Sequence, residues 1–590
     1  MSVEEQRRPT GLAPTAAILP AVVAIGLMAL FGRLYYLQII RGEELSQLAL
    51  PSQAFRAPIP SPRGQIQDRN GALLAVVKPS LAVMVTPADI QHKPDAIRRL
   101  AGLLDEDPEE LDEEIRKNSY RRFLPFVAKV GITLEQAVTI EEQRAFMPGV
   151  FVRTHSVRDY PLGPAFAHAI GYVSGLSESD VERLTGAGLD LPSFVGKVGI
   201  ERRYDLDLMG RFGSDRVDVD RKGNRVRTAE PPQPGDRLTL TLDAELQRWA
   251  TEVLNGRRGA IVALEPKTGE VLCLVSSPAY DPNMFARRIT REDWSRLQGD
   301  ERKPMHNRAA ASSFAPGSTF KIITLIAGIR DGVVSPGTTF VCEGSFRIGN
   351  RAFGCLGRHG RVDYEEAIVK SCNVYFANVS DRVGRKNIVE AAKQFGLGAL
   401  TGIDILEEKS GTLPDDSWLA RRERDWYGGD TINLGVGQGD VAATPLQMAQ
   451  YASLIANRGH AFRPHLLRSK VSMAHDAAAD TTPRKVAAQV QLSDLWWERI
   501  LRAMEGVVTT GTGSAARIEG ISFAGKTGSA EQGGDRESHA WFIGFAPSRD
   551  PKIAIAVILE SAGQGGRAAA PVAKKIVERY LKRTTPGPES

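Results

Sequence analysis

Cysteine is scarce, with four residues in 590. That count excludes a small scaffold stapled by disulfides. Charge of one sign is scarce too. The 75 basic and 70 acidic residues leave a net charge of +5, and nothing concentrates it beyond scattered arginine pairs, which excludes an electrostatic nucleic-acid face. Long apolar runs are nearly absent: Ala16 to Gly32 is free of charge, and no second run of that length follows. The remainder, 42% hydrophobic and 25% charged, is the mixture of an ordinary globular protein. One core rarely extends over 590 residues, so two or more domains are expected.

At about 1.5 Å per residue, the run from Ala16 nearly spans a bilayer core. Leu34 to Ile40 extends it while Arg33 reaches the interface. A cleaved signal peptide is the competing reading. No small-x-small site follows, and Phe31, Tyr35 and Tyr36 have the character of interfacial anchors. Residues 16–40 are therefore expected to be a retained transmembrane anchor behind a cytoplasmic tail of residues 1–15. Arg7 and Arg8 favour that orientation, although Glu4, Glu5, Arg33 and Arg41 blur the charge rule.

Pro316 and Gly317 cannot sit comfortably in a helix interior, whereas Ile322 to Ile329 reads as a buried helix, so Ser318 falls at a helix start. Lys321 lies one turn on, along the same face. Such a pair can act as nucleophile and base once desolvation lowers the lysine pKa. Alone, Ser-x-x-Lys is weak, since an N-cap serine beside a solvated lysine looks the same. Ser371-Cys372-Asn373 and Lys526-Thr527-Gly528 then follow in order. A further Lys267-Thr268-Gly269 falls in the turn of a hairpin predicted from residue 259 to 276 and is expected to be structural. Glu230 to Gly235 is a linker by composition, and residues 88–143 are charged and helix-like.

The ordered set Ser-x-x-Lys, Ser-x-Asn, Lys-Thr-Gly resembles that of penicillin-binding proteins and serine β-lactamases. Over nearly its whole length the chain resembles the class B penicillin-binding proteins of the elongation type. The resemblance implies an α+β architecture: a transmembrane helix, an elongated mixed α/β pedestal of short strands and helices over 41–235 with no catalytic role, and a transpeptidase domain over 236–585 in which helices sandwich an antiparallel sheet. It implies a penicillin-binding DD-transpeptidase that cross-links D-Ala-D-Ala stem peptides. Ser318 would be the nucleophile and Lys321 its base, kept neutral by Lys526. Ser371 would relay the proton, and Asn373 would orient Lys321 and bind the substrate amide. Lys526 and Thr527 would hold the terminal carboxylate, with Gly528 leaving room for the substrate strand. The backbone N–H groups of Ser318 and Ser529 would receive the oxyanion. Asn433 to Asp440 and Ala443 to Ala449 resemble the glycine-rich loop and helix start beside the groove. The expected setting is the cell inner membrane with a periplasmic catalytic domain. The expected partners are a RodA-like SEDS-family glycosyltransferase and elongation-complex proteins, and β-lactams are expected to bind covalently. A division-type transpeptidase, a DD-carboxypeptidase or β-lactamase and a β-lactam sensor share the fold and remain rival readings.

Cys342, Cys355, His359 and Cys372 fall within about 30 residues of one another. Three thiolates and an imidazole make a closed tetrahedral zinc shell of the structural kind. The resemblance points the same way: some elongation-type members carry zinc between these segments, with acidic, His and Cys ligands. This chain has Cys at 342 and 355 where the family can have Asp. A Cys342–Cys355 disulfide, with Cys372 merely small and buried, is the alternative. Cys273 reads as core, and His155 and His168 as structural.

Overall fold

The computed structural model describes residues 15–584 apart from 43–44, 46–54, 120–122, 124, 190, 193, 220–224, 288, 474–478 and 535. The expected tail therefore lies outside the described residues, save Thr15. The chain forms two units, residues 1–61 with 211–233, and 62–210 with 234–590. In the first, the helix Thr15–Tyr35 runs on as a π-turn through Ile40. From Pro20 to Tyr35 its apolar side chains are exposed, and Pro20–Ile40 has the length and composition to cross a membrane. Phe55–Ile59, Gly213–Val219 and Arg225–Glu230 pair into a three-stranded sheet.

Strands pair across the expected boundary at 235. Within the second unit, Arg237–Leu240 pairs in parallel with Ile66–Gln67 and antiparallel with Leu467–Val471. One seven-stranded sheet thus draws strands from both sides of 235. The stretch expected as a linker is tied down as well, since Gly235 N donates to Pro62 O at 3.0 Å. The pedestal strands are not all short: Leu73–Val85 has 13 residues, and Phe126–Val130 interrupts the helix-like stretch expected over 88–143.

The C-terminal half follows α1 (Ala244–Leu254), β1 (Gly259–Leu264), β2 (Val271–Ser277), α2 (Lys321–Arg330), α3 (Tyr364–Val369), α4 (Asn373–Gln394), α5 (Pro445–Ala456), α6 (Asp494–Thr509), β3 (Ala524–Ala530), β4 (His539–Ala546), β5 (Ile553–Leu559) and α7 (Gly565–Thr584). The five strands form an antiparallel sheet in the order β2-β1-β5-β4-β3, closed from both ends of the domain. Strand side chains alternate between faces. Ala260, Val262 and Leu264 enter one core with Ile322, Ile326 and Leu446 of α2 and α5. Ile261 and Ala263 enter a second core with Ile576 and Val577 of α7. With both faces covered, these strands read as continuous apolar runs. Helix α5 starts where Thr444 and Gln447 cap each other's backbone N–H groups at 3.1 and 2.8 Å, with Pro445 in the first turn. Lys267-Thr-Gly269 does occupy the turn between β1 and β2, where Lys267 pairs with Asp550 at the surface.

Candidate active site

Gly317–Phe320 is a 3-10 turn that leads straight into α2 at Lys321. Side chains three apart eclipse in such a turn, which puts Ser318 and Lys321 on one face of it. The turn is pressed against β3. Gly317 has φ +55°, and a Cβ there would lie 2.5 Å from Ser529 O, so only glycine fits. Its N–H donates to Gly437 O at 2.8 Å, and Trp541 Nε1 donates to Ala315 O at 3.0 Å. Gly528 serves the same contact. A Cβ at 528 would meet Pro316 O at 2.8 Å and Thr319 Cγ2 at 3.0 Å. Beside the expected room for a substrate strand, the close seat of the Ser318 turn on β3 also requires glycine here.

Three segments distant in sequence converge on one hydroxyl. Lys321 Nζ donates to Ser371 O at 2.8 Å, Ser371 Oγ at 3.2 Å and Asn373 Oδ1 at 2.6 Å. Lys526 Nζ reaches the same Ser371 Oγ at 3.1 Å and Thr527 O at 3.1 Å. Both lysines are fully buried. Burial lowers Lys321 to about 8 against a partial opposing pull from the Cys355 and Cys372 thiols. Burial, then repulsion from Lys321, drives Lys526 well below the ordinary lysine range. Ser371 itself has φ +55°, a region costing a non-glycine residue about 1–3 kcal/mol. The turn between α3 and α4 imposes it, with Cys372 N bonded to Ala367 O at 2.8 Å. Asn373 thus holds Lys321 as expected, while its Nδ2 donates to Gly354 O at 2.8 Å.

β3 is the edge strand, and alternate carbonyls of an edge strand point away from its neighbour. Ser529 O accepts from the side chain of Gln438 at 3.0 Å. Thr527 Oγ1 meets Thr512 Oγ1 at 2.7 Å, and Ser529 Oγ accepts from Gly565 N at 3.3 Å. Thr512 and the side-chain role of Gln438 were missed from sequence. The run Thr509-Thr-Gly-Thr-Gly513 is visible there, but its spacing announces no chemistry.

The four cysteines are all free, so Cys342 and Cys355 are not joined. Ligand atoms of Cys342, Cys355, His359 and Cys372 lie within 4.8 Å of one another. His359 Nδ1 stands 3.6 Å from the sulfurs of Cys342 and of Cys355, and the Cys355 and Cys372 sulfurs are 3.9 Å apart. The hydrogen bond between them draws the Cys355 thiol down and pushes Cys372 up. Cys342 and Cys355 flank the hairpin Ser345–Ile348 with Arg351–Gly354. Cys355 Sγ also accepts the backbone N–H of Asn373 at 3.2 Å, which links the cluster to the lysine site. Cys273 is core, and buried His168 bonds Pro304 O at 2.9 Å.

The family profile for the penicillin-binding protein transpeptidase domain matches residues 259–578, and that for the penicillin-binding protein dimerisation domain matches 58–240. The peptidoglycan D,D-transpeptidase MrdA of Acinetobacter baumannii is 34% identical over 95% of this chain and 86% of its own length. The penicillin-binding protein PBP2 of Helicobacter pylori, solved in complex with MreC, superposes with a TM-score of 0.77 at 25% identity, covering 90% of this chain and 99% of that one. A chain from a structure on coordination of polymerization and crosslinking by a peptidoglycan synthase complex matches with a TM-score of 0.69 at 29% identity, covering 98% of this chain and all of that one. The chain belongs to the class B penicillin-binding proteins, in the penicillin-binding protein 2 (MrdA) branch of peptidoglycan D,D-transpeptidases.

Proposed function

We propose that this chain is a membrane-anchored peptidoglycan D,D-transpeptidase that forms a Ser318 acyl-enzyme with D-Ala-D-Ala stem peptides and passes the acyl group to an amine during cell elongation. The observation that carries this reading is the sharing of Ser371 Oγ by two buried lysines beside the turn bearing Ser318. Neutral Lys321 takes the Ser318 proton as Oγ bonds to the carbonyl carbon of the penultimate D-alanine. The oxyanion faces the N–H groups of Ser318 and Ser529; loss of one such donor raises a barrier by about 3–4 kcal/mol. The peptide C–N bond then breaks, and the proton returns through Ser371 to the departing D-alanine. An acceptor amine next gives up a proton by the reverse route, attacks the ester and frees Ser318. Lys526 and Thr527, the latter backed by Thr512, hold the terminal carboxylate. After penicillin treatment, intact mass should rise by one adduct that maps to the Ser318 peptide and is absent in Ser318→Ala. An adduct that persists in that variant would remove Ser318 from its role.

For the cysteine cluster the reading is a zinc ion held by Cys342, Cys355, His359 and Cys372. Zn–S and Zn–N bonds of about 2.3 and 2.0 Å in a tetrahedron set ligand atoms about 3.5–3.8 Å apart, close to the observed 3.6 and 3.9 Å. These four residues would hold the ion, which would supply a structural cross-link. Its ligands flank Asn373 and the hairpin that ends at Gly354, so they steady the residues that hold Lys321. Protein purified without chelator should contain one equivalent of zinc, lost in both Cys342→Ser and His359→Ala; a mapped Cys342–Cys355 disulfide is the contrary result.

The same reading sets the anchor in the cell inner membrane with the catalytic residues in the periplasm. Its partners would be a RodA-like SEDS-family glycosyltransferase and elongation-complex proteins of the MreC kind. Support comes from the apolar helix and from the MreC and synthase complexes of its structural neighbours. Depletion should produce round cells; filaments would favour a division role.

A further inference from the structure

The carbonyl of Ser529 is the outward acceptor of an edge strand beside the Ser318 turn, and it is already occupied. Gln438 Nε2 donates to it at 3.0 Å. An edge strand binds an extended peptide by offering such carbonyls to the peptide's N–H groups. We propose that Gln438 is a positioning residue whose side-chain amide stands in for the donor peptide's N–H, and that a ligand must bring an N–H of its own to displace it. The proposal rests on the acyl-enzyme reading above and adds a specificity device to it.

Three observations support the exchange. First, an amide N–H is the same donor chemistry as the peptide N–H it replaces, so the Ser529 carbonyl is satisfied in both states, and a buried carbonyl left bare is costly. Secondly, the backbone beneath Gln438 is fixed independently of its side chain, which is held to Ser529 O by one hydrogen bond. Gly437 at φ +75° abuts Gly317, its O accepting Gly317 N at 2.8 Å, and Gln438 N donates to Asn433 O at 2.8 Å. The Gln438 side chain is only half-buried, and Gly439 beyond it is exposed. Rotation about the side-chain torsions is therefore enough to clear the carbonyl, with no shift of the turn that carries Ser318. Thirdly, the opposite wall of the site is arranged in the same way. The Asn373 amide, expected to receive the substrate's C=O, donates meanwhile to Gly354 O at 2.8 Å. Both groups that would clasp one peptide unit are thus held by internal partners. Any ligand that fills the site without an N–H near Ser529 leaves Gln438 in place and gains nothing there.

The test measures second-order acylation rates for two β-lactams, a penicillin whose side chain begins with an acylamino N–H and a penam lacking an N–H at that position. In Gln438→Ala and Gln438→Glu the carbonyl has no internal donor, so the acylamino compound should acylate about two- to ten-fold faster, the range of one neutral hydrogen bond. The compound without the N–H should change by less than that, so the ratio of the two rates rises. A purely structural Gln438 would slow both compounds together, and an unmoved ratio overturns the proposal. A crystal structure of the wild-type acyl-enzyme with the acylamino compound needs no variant: Gln438 should have left Ser529 O, and a retained contact overturns the proposal even if the variants fail to fold. Wild-type protein acylated by neither compound would instead remove the acyl-enzyme reading, and this inference with it.

Discussion

Two clusters of buried charge lie in the same unit and behave in opposite ways. In the pedestal, Glu201 is fully buried between Arg63 and Arg158, each 2.7 Å from its carboxylate, and Arg63 also meets Asp205 at 3.0 Å. Burial works against the charge of Glu201, but Arg158 and Arg63 outweigh it and hold the carboxyl below its usual range. Around Ser371, two buried lysines face each other, and among the described residues none of their hydrogen-bond acceptors is a carboxylate. Burial then wins, and the amines are pushed toward neutrality. Burial with matched counter-charge keeps ions fixed for structure, whereas burial without it produces a base. Both clusters are buried; the presence of a carboxylate decides.

The sharpest way to break the contrast is Lys321→Met, which keeps volume and deletes the base. Acylation by a fluorescent penicillin should fall about a hundred- to ten-thousand-fold with the melting temperature nearly unchanged. A rate near wild type would show that the base is elsewhere. Glu201→Ala tests the other half, since it strands two guanidiniums without a partner. Urea denaturation should report a loss of about 3–5 kcal/mol, while acylation per folded molecule stays close to wild type; a small stability change would mean that water replaces the carboxylate. The pH profile sharpens the comparison further. In the proposed mechanism only the neutral amine would accept the Ser318 proton, and burial lowers Lys321 to about 8, so acylation should rise with pH and level off above that value. A rate that falls through this range has the wrong sign for an amine base. The smallest effect is expected for Thr512→Val, which removes one hydroxyl partner of Thr527. Acylation should drop only a few-fold, as for one neutral hydrogen bond, and a drop as large as that of Lys321→Met would promote Thr512 to a far more direct part.

Much of this site is legible in the chain because its chemistry sits in short contiguous motifs. Ser318 and Lys321 are one turn apart, Ser371 and Asn373 flank one residue, and a strand pattern surrounds Lys526. The cysteine cluster is legible for the same reason, since close spacing of soft ligands is itself the signal. At Gly528 the residue type says only that space is needed, and the contact with the Ser318 turn is not legible from it. The pairing across 235 was not legible because Pro and Gly mark a bend, whereas Arg237–Leu240 pairs with strands 170 and more residues away on one side and 225 and more on the other. Gln438 stood in a glycine-rich loop already noted, but its partner is a main-chain carbonyl, which no side-chain pattern records.

Taken by itself, the order of amino acids determined which groups are available for chemistry, where the long apolar helix lies, and that strands from both ends of the last domain must meet. Those are properties of local spacing and hydrophobic period, and they survive without knowledge of neighbours. Tertiary structure alone decided that Lys321 and Lys526 share one hydroxyl without a carboxylate, that Ser371 is held at positive φ, and that Gln438 covers the Ser529 carbonyl. Each depends on ångström-scale distances between remote segments, because desolvation, repulsion and hydrogen bonding act through space and not along the chain.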